Sequence, residues 1–200
     1  GLTINGVDIG PLVEAELDRR DPDRAVVRAE TVDDFRAGWE MTERRWAATM
    51  AHARTLPDEV LHERVRDEWS FIETLRHLVF ATDAWVLRVL LGDPSPYHPL
   101  GLPFTEMEEE VSGLVDDPEA RPSLDELADI RESRFAVVRG VLAALTAERL
   151  ESTTTPVTEP GYPASEGYPV RRVLGTILNE EWLHRQYAER DLAVLEERSR

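Results

Sequence analysis

The sequence predicts an all-α protein, a four-helix bundle with long crossover loops, and three observations carry that prediction. Apolar residues recur with the helical period in four long segments. Three of those segments open on a hydroxyl residue followed three positions later by an acid: Thr31 and Asp34, Ser70 and Glu73, Ser123 and Glu126. Two stretches rich in proline or in Thr, Pro and Gly separate the segments. No strand pattern of weight, internal repeat or low-complexity block competes with this reading.

Residues 1–30 read as an N-terminal extension, with a short extra helix expected over Pro11 to Arg20, and the bundle then occupies residues 31–200. The first long helix is predicted from about Thr31 to Leu56, stopping before Pro57, with Phe35, Trp39, Trp46, Met50 and Ala53 on one face. The second runs from about Ser70 to Leu91 and ends at Gly92 and Pro94. It carries Phe71, Leu75, Leu78, Trp85 and Val89 on one side, and Phe80, Leu87 and Leu91 nearly opposite. A helix apolar on two sides belongs inside a bundle. The crossover 92–122 holds six prolines, and its acidic run Glu106-Met107-Glu108-Glu109-Glu110 reads as a solvated face or the start of a short helix. The third helix is predicted from about Ser123 to Thr146, burying Leu124, Leu127, Phe135, Val138, Leu142 and Leu145. After a second crossover, 151–168, the fourth starts near Pro169 and continues to about Glu197. Loops of this length are commonly functional or disordered, and bundles with long crossovers accommodate them.

Composition narrows the function. The chain has 200 residues, 23 basic against 40 acidic, a net charge of −17, and no cysteine. That charge argues against nucleic acid and against an anionic membrane surface, both of which need a basic footprint. Without cysteine there is no disulfide, protein thiolate nucleophile or Cys-ligated zinc. Every basic residue is Arg, so lysine Schiff-base chemistry is excluded too. No apolar run is long enough to span a bilayer, and Gly1-Leu2-Thr3-Ile4-Asn5 lacks a signal-peptide pattern, so a cytoplasmic protein is expected.

The informative residues are polar groups in apolar stripes. On the fourth helix Val173, Ile177, Ala188 and Leu195 define the stripe, and Glu180, His184, Tyr187 and Asp191 fall inside it. A buried carboxylate is paired, protonated or bound to a metal. Glu180 and His184 are four apart, so both can reach one point. On the second helix His77 lies on a strip with Glu73, Ala81, Ala84 and Arg88, where the alanines leave room. If these helices are neighbours, His77, Glu180 and His184 form a two-histidine, one-carboxylate set suited to zinc, or to iron or nickel with open positions. The competing explanation is an ion-pair network in which Arg131 or Arg134 neutralises Glu180 or Asp191. The remaining polar and aromatic residues have ordinary roles: back-bonding for Thr42 and Thr49, core packing for Trp39, Trp46, Trp85, Phe135 and Tyr187, and solvated or surface positions for His52, His62 and His98.

Two segments resemble the DinB-like (DinB/YfiT) superfamily. Trp69-Ser70, Glu73 and His77-Leu78 are similar to the stretch carrying its first metal-ligating histidine. Asn179-Glu180-Glu181-Trp182-Leu183-His184-Arg185 is similar to its HxxxH stretch, with Glu180 where the middle histidine usually stands. The resemblance covers the chain from about residue 30. It implies a divalent metal, zinc or nickel foremost, held by His77, Glu180 and His184. It also implies a thiol-dependent transferase or isomerase, since the family includes mycothiol-dependent maleylpyruvate isomerase and mycothiol or bacillithiol transferases; a hydrolase fits the same ligands. With the Lys-free composition of a high-GC actinobacterial protein, mycothiol is the implied thiol. Its partners would be that thiol, an electrophilic substrate and a second copy of the chain as homodimer, with Arg131, Arg134 and Arg88 as candidates for binding an acidic cofactor or substrate group. The alternative is a non-catalytic binding or dimerisation module built round a His/Glu/Arg network.

Overall fold

Four long helices form the body of the computed structural model, which describes residues 1–104, 107, 114, 115 and 117–198. In chain order the elements are β1 (Thr3–Ile4), β2 (Val7–Asp8), α1 (Gly10–Arg20), a 3₁₀ segment (Pro22–Arg28), α2 (Val32–Ala53), α3 (Asp58–Leu61), α4 (Phe71–Thr82, continued by a π-helical segment, Asp83–Leu90), α5 (Leu124–Ala144), α6 (Ala147–Leu150) and α7 (Val170–Arg198). α7 packs against α2 on one side and α4 on the other, and α5 closes the bundle against α4 and α2.

Local chemistry explains the helix starts. Thr31 and Ser70 each accept from the backbone N–H three residues on, while Asp34 and Glu73 reach back to the cap N–H, so both capping boxes are complete. Ser123 makes only the first half of its box, accepting from the Glu126 N–H. α4 is buried all round, as its two apolar faces predicted, with Glu73 the part-exposed exception. Arg76, wholly buried on α4, donates to the carbonyls of Leu100, Asp117 and Ala120 and so ties the first crossover to the bundle. The large core residues include Phe35, Trp39, Trp46, Phe71, Leu75, Leu78, Leu127 and Ile177.

Several expectations are corrected. The sequence showed no strand pattern of weight, and the two-residue strands β1 and β2 pair antiparallel through Asn5 and Gly6, both at positive φ. Asn-Gly is the turn pair that suits a two-residue hairpin, so the signal was present. The first helix stops at Ala53, and the residues before Pro57 turn out of it. The second helix widens to π winding from Asp83, which breaks the assumed 100° step; Leu91 at its end is exposed, not buried. Tyr187 is also exposed, at 43%, although it lies in the expected apolar stripe of α7. The stripe fails because α7 buries several faces at once, including Leu174, Leu178 and Trp182. His52, His62 and His98 are half-buried. Thr49 back-bonds to the Arg45 carbonyl, as read. The acidic run falls outside the described residues except for Met107. The extra helix expected over residues 11–20 spans Gly10–Arg20; it buries no residue and is held to the 3₁₀ segment by Arg24 and Arg28 paired with Glu14 and Asp18.

Candidate metal centre

α4 and α7 lie side by side, and the Ser70 capping box fixes where α4 begins, two turns before His77. His77, Glu180 and His184 converge: one ligand atom from each lies within 4.8 Å of the other two. Nε2 of His77 is 3.5 Å and Nε2 of His184 3.2 Å from the same carboxylate oxygen of Glu180. His77 is buried, and Glu180 and His184 are half-buried.

The second contact of His77 sets its protonation. Nδ1 is 3.1 Å from the Leu102 carbonyl oxygen, which can only accept, so Nδ1 carries a proton. In its neutral form the ring therefore turns the lone pair of Nε2 towards Glu180. Carbonyl-anchored imidazoles of this kind are the usual support of a metal-ligating histidine. A lone pair facing a carboxylate needs a proton or a cation between them, and this donor set fits a divalent ion of the zinc or nickel type. Burial pushes the Glu180 carboxyl up, but when the rings are protonated the hydrogen bonds from His184 and His77, with their charge, outweigh it and lower it to about 2. Glu180 is thus an anion at any working pH.

Aromatic rings surround the triad. The Trp69 ring lies 4.6 Å from that of His77 and stacks on His184 at 5.9 Å; Phe80 is 6.1 Å from His77.

The arginines are engaged elsewhere. Arg131 makes a two-pronged bridge to Glu181, at 2.9 and 2.7 Å, not to Glu180 or Asp191. Arg134 pairs with Asp83, at 2.8 and 3.2 Å, and Asp191 pairs with Arg190. Burial raises the Asp83 carboxyl against the pull of Arg134 and of the His98 N–H. Arg88 is buried and donates to the Glu159 carbonyl, while its Nη1 has no partner among the described residues. Any binding of an acidic group by Arg131 or Arg134 requires these pairs to open.

Sequence reasoning missed Glu181, Asp83 and Tyr162. Glu181 carried the stronger clue of the three, as an acid between Glu180 and Trp182 on a helix buried on several sides. Tyr162 lies in a crossover without periodicity; its phenol is pushed up by burial and then by the charge of Glu180.

An all-α bundle with a two-histidine, one-carboxylate cluster between two of its helices is the class that fold and site define. The family model of the DinB superfamily matches residues 41–188, and the chain belongs to that superfamily. No curated protein matches the chain, and no solved structure does. Among the described residues no helix is long and apolar enough to cross a membrane.

Proposed function

We propose that the protein is a divalent-metal-dependent enzyme that uses a small-molecule thiol, of the mycothiol type, as an S-transferase or isomerase acting on an electrophilic substrate. The observation that carries this reading is the meeting of three ligand atoms within 4.8 Å on α4 and α7, with the nearby guanidiniums turned to other carboxylates. His77 would hold the ion through Nε2 with Nδ1 anchored on Leu102, His184 through Nε2, and Glu180 through the oxygen both rings already face. A divalent ion bound there would lower the pKa of an incoming thiol so that it reacts as thiolate near neutral pH. The chain's part is to orient these ligands, to exclude water through Trp69 and Phe80, and to keep Glu180 ionised. Having no cysteine, the protein leaves the sulfur to the cofactor.

The test is metal-dependent consumption of thiol. Zinc- or nickel-loaded protein, incubated with mycothiol and a panel of electrophiles, is expected to consume thiol faster than chelator-treated protein or the Glu180→Ala variant. Equal rates in all three would end the enzymatic reading and leave a helical binding module.

A further inference from the structure

The second crossover passes the metal centre as a strap with a defined seat. The Tyr97 hydroxyl donates to the Tyr162 carbonyl at 2.7 Å and accepts from the Tyr162 N–H at 2.9 Å. Arg88 holds the Glu159 carbonyl. Between these anchors, Gly161 lies so close that an added Cβ would come within 2.7 Å of the Arg88 guanidinium carbon and 2.8 Å of the Tyr97 hydroxyl. A side chain at this position would have to push the Arg88 or Tyr97 side chain aside.

This seat aims one side chain. The Tyr162 ring stacks on Phe80 at 5.9 Å and meets Phe104 edge-on at 5.1 Å, and Phe80 is the ring next to His77. The Tyr162 hydroxyl makes no hydrogen bond among the described residues, although the residue is half-buried. Its backbone is held on both polar atoms, while its phenol has no hydrogen-bond partner among the described residues. The phenol stays protonated near neutral pH, because both burial and Glu180 push it up. It is therefore a donor open to solvent or to a bound ligand, at the end of an apolar wall made by Phe80, Phe104 and Tyr162.

We propose that Tyr162 is a specificity-determining residue whose hydroxyl donates to a carbonyl oxygen of the ligand seated at the His77–Glu180–His184 cluster, with the apolar or aromatic body of that ligand against Phe80 and Phe104. This rests on the metal reading above. A carbonyl is the acceptor that fits, because a phenol needs a lone pair and the wall beside it is apolar.

The experiment uses cobalt-loaded wild type and Tyr162→Phe, titrated with benzohydroxamate, acetohydroxamate and azide and followed by the visible spectrum of the cobalt. Both proteins are expected to hold equal cobalt. Tyr162→Phe is expected to bind both hydroxamates about 5-fold more weakly, the effect of one net hydrogen bond, and azide unchanged. Benzohydroxamate is expected to bind more tightly than acetohydroxamate in both. Unchanged hydroxamate affinity with cobalt in place would overturn this inference alone. Equal weakening of azide would overturn it in favour of a merely structural strap. Failure of the wild type to hold cobalt would overturn it together with the metal reading.

Discussion

Glu180 and Glu181 are neighbours on one helix, and both carry a buried or half-buried carboxylate, yet their surroundings are opposite. The 100° turn between them points Glu181 across the bundle to α5, where Arg131 meets it with two hydrogen bonds and solvent is wholly excluded. The guanidinium also lies over the rings of Phe135 and Trp46, at 4.7 and 5.0 Å. Glu180 instead faces α4, with two imidazoles that share one of its oxygens and no guanidinium between them. The first carboxylate is saturated by a permanent cation. The second is faced only by two imidazoles, whose ring nitrogens can serve as metal ligands, and no permanent cation stands beside it among the described residues. The lesson is that burial of an acid does not by itself mark a site; the nature of its partner does.

The largest effect should come from breaking the saturated pair. Arg131→Ala leaves Glu181 buried and unpaired, which costs about 3–5 kcal/mol. That corresponds to a fall in melting temperature of roughly 6–20 °C for a chain of this size. Replacing both partners with apolar residues, Arg131→Met with Glu181→Leu, should recover most of the loss in a thermal melt. If the single and double variants melt alike, the pair is not the structural element described here.

Removing the metal should come next. Holo protein at free metal about 1,000 times the dissociation constant gains about 4 kcal/mol over apo, and a chelator should abolish that gain. Glu180→Ala and His184→Ala should melt the same with and without chelator. A gain that survives in either variant would place the ion elsewhere.

The pH response of the apo protein sharpens the contrast further. Glu180 is lowered to about 2 in the folded chain against 4.5 as its ordinary value. Between these values the unfolded chain holds more protons than the folded one, so stability is present above about pH 4.5 and is lost as pH falls towards 2. Urea midpoints measured from pH 5 to pH 3 should fall more steeply in wild type than in Glu180→Gln. The smallest effect is Ser70→Ala, which removes the cap that sets the start of α4 and should cost about 1 kcal/mol without loss of metal, read by urea unfolding and metal content together.

Much of this arrangement was legible in the sequence because it rests on local rules. The hydroxyl caps with an acid three residues on placed the starts of α2, α4 and α5, and the four-residue spacing put Glu180 and His184 on one face. What escaped depends on long-range packing. The partners of Arg131 and Arg134 were misassigned because both acids they meet, Glu181 and Asp83, lie off the single stripe used for each helix. The π winding from Asp83 has no composition signal, and it moved the end of α4 away from its expected faces. Tyr162 was invisible because a crossover has no period to read.

The half-buried acid and the two imidazoles should form one ion site, and the adjacent acid should not. Equilibrium dialysis of purified protein against zinc or nickel, followed by elemental analysis, tests it most directly. Wild type and the Arg131→Met, Glu181→Leu double variant should take up about one ion per chain, and His77→Ala, Glu180→Ala and His184→Ala almost none. Wild type that takes up no ion, or triad variants that retain it, would show that these three side chains do not form an ion site.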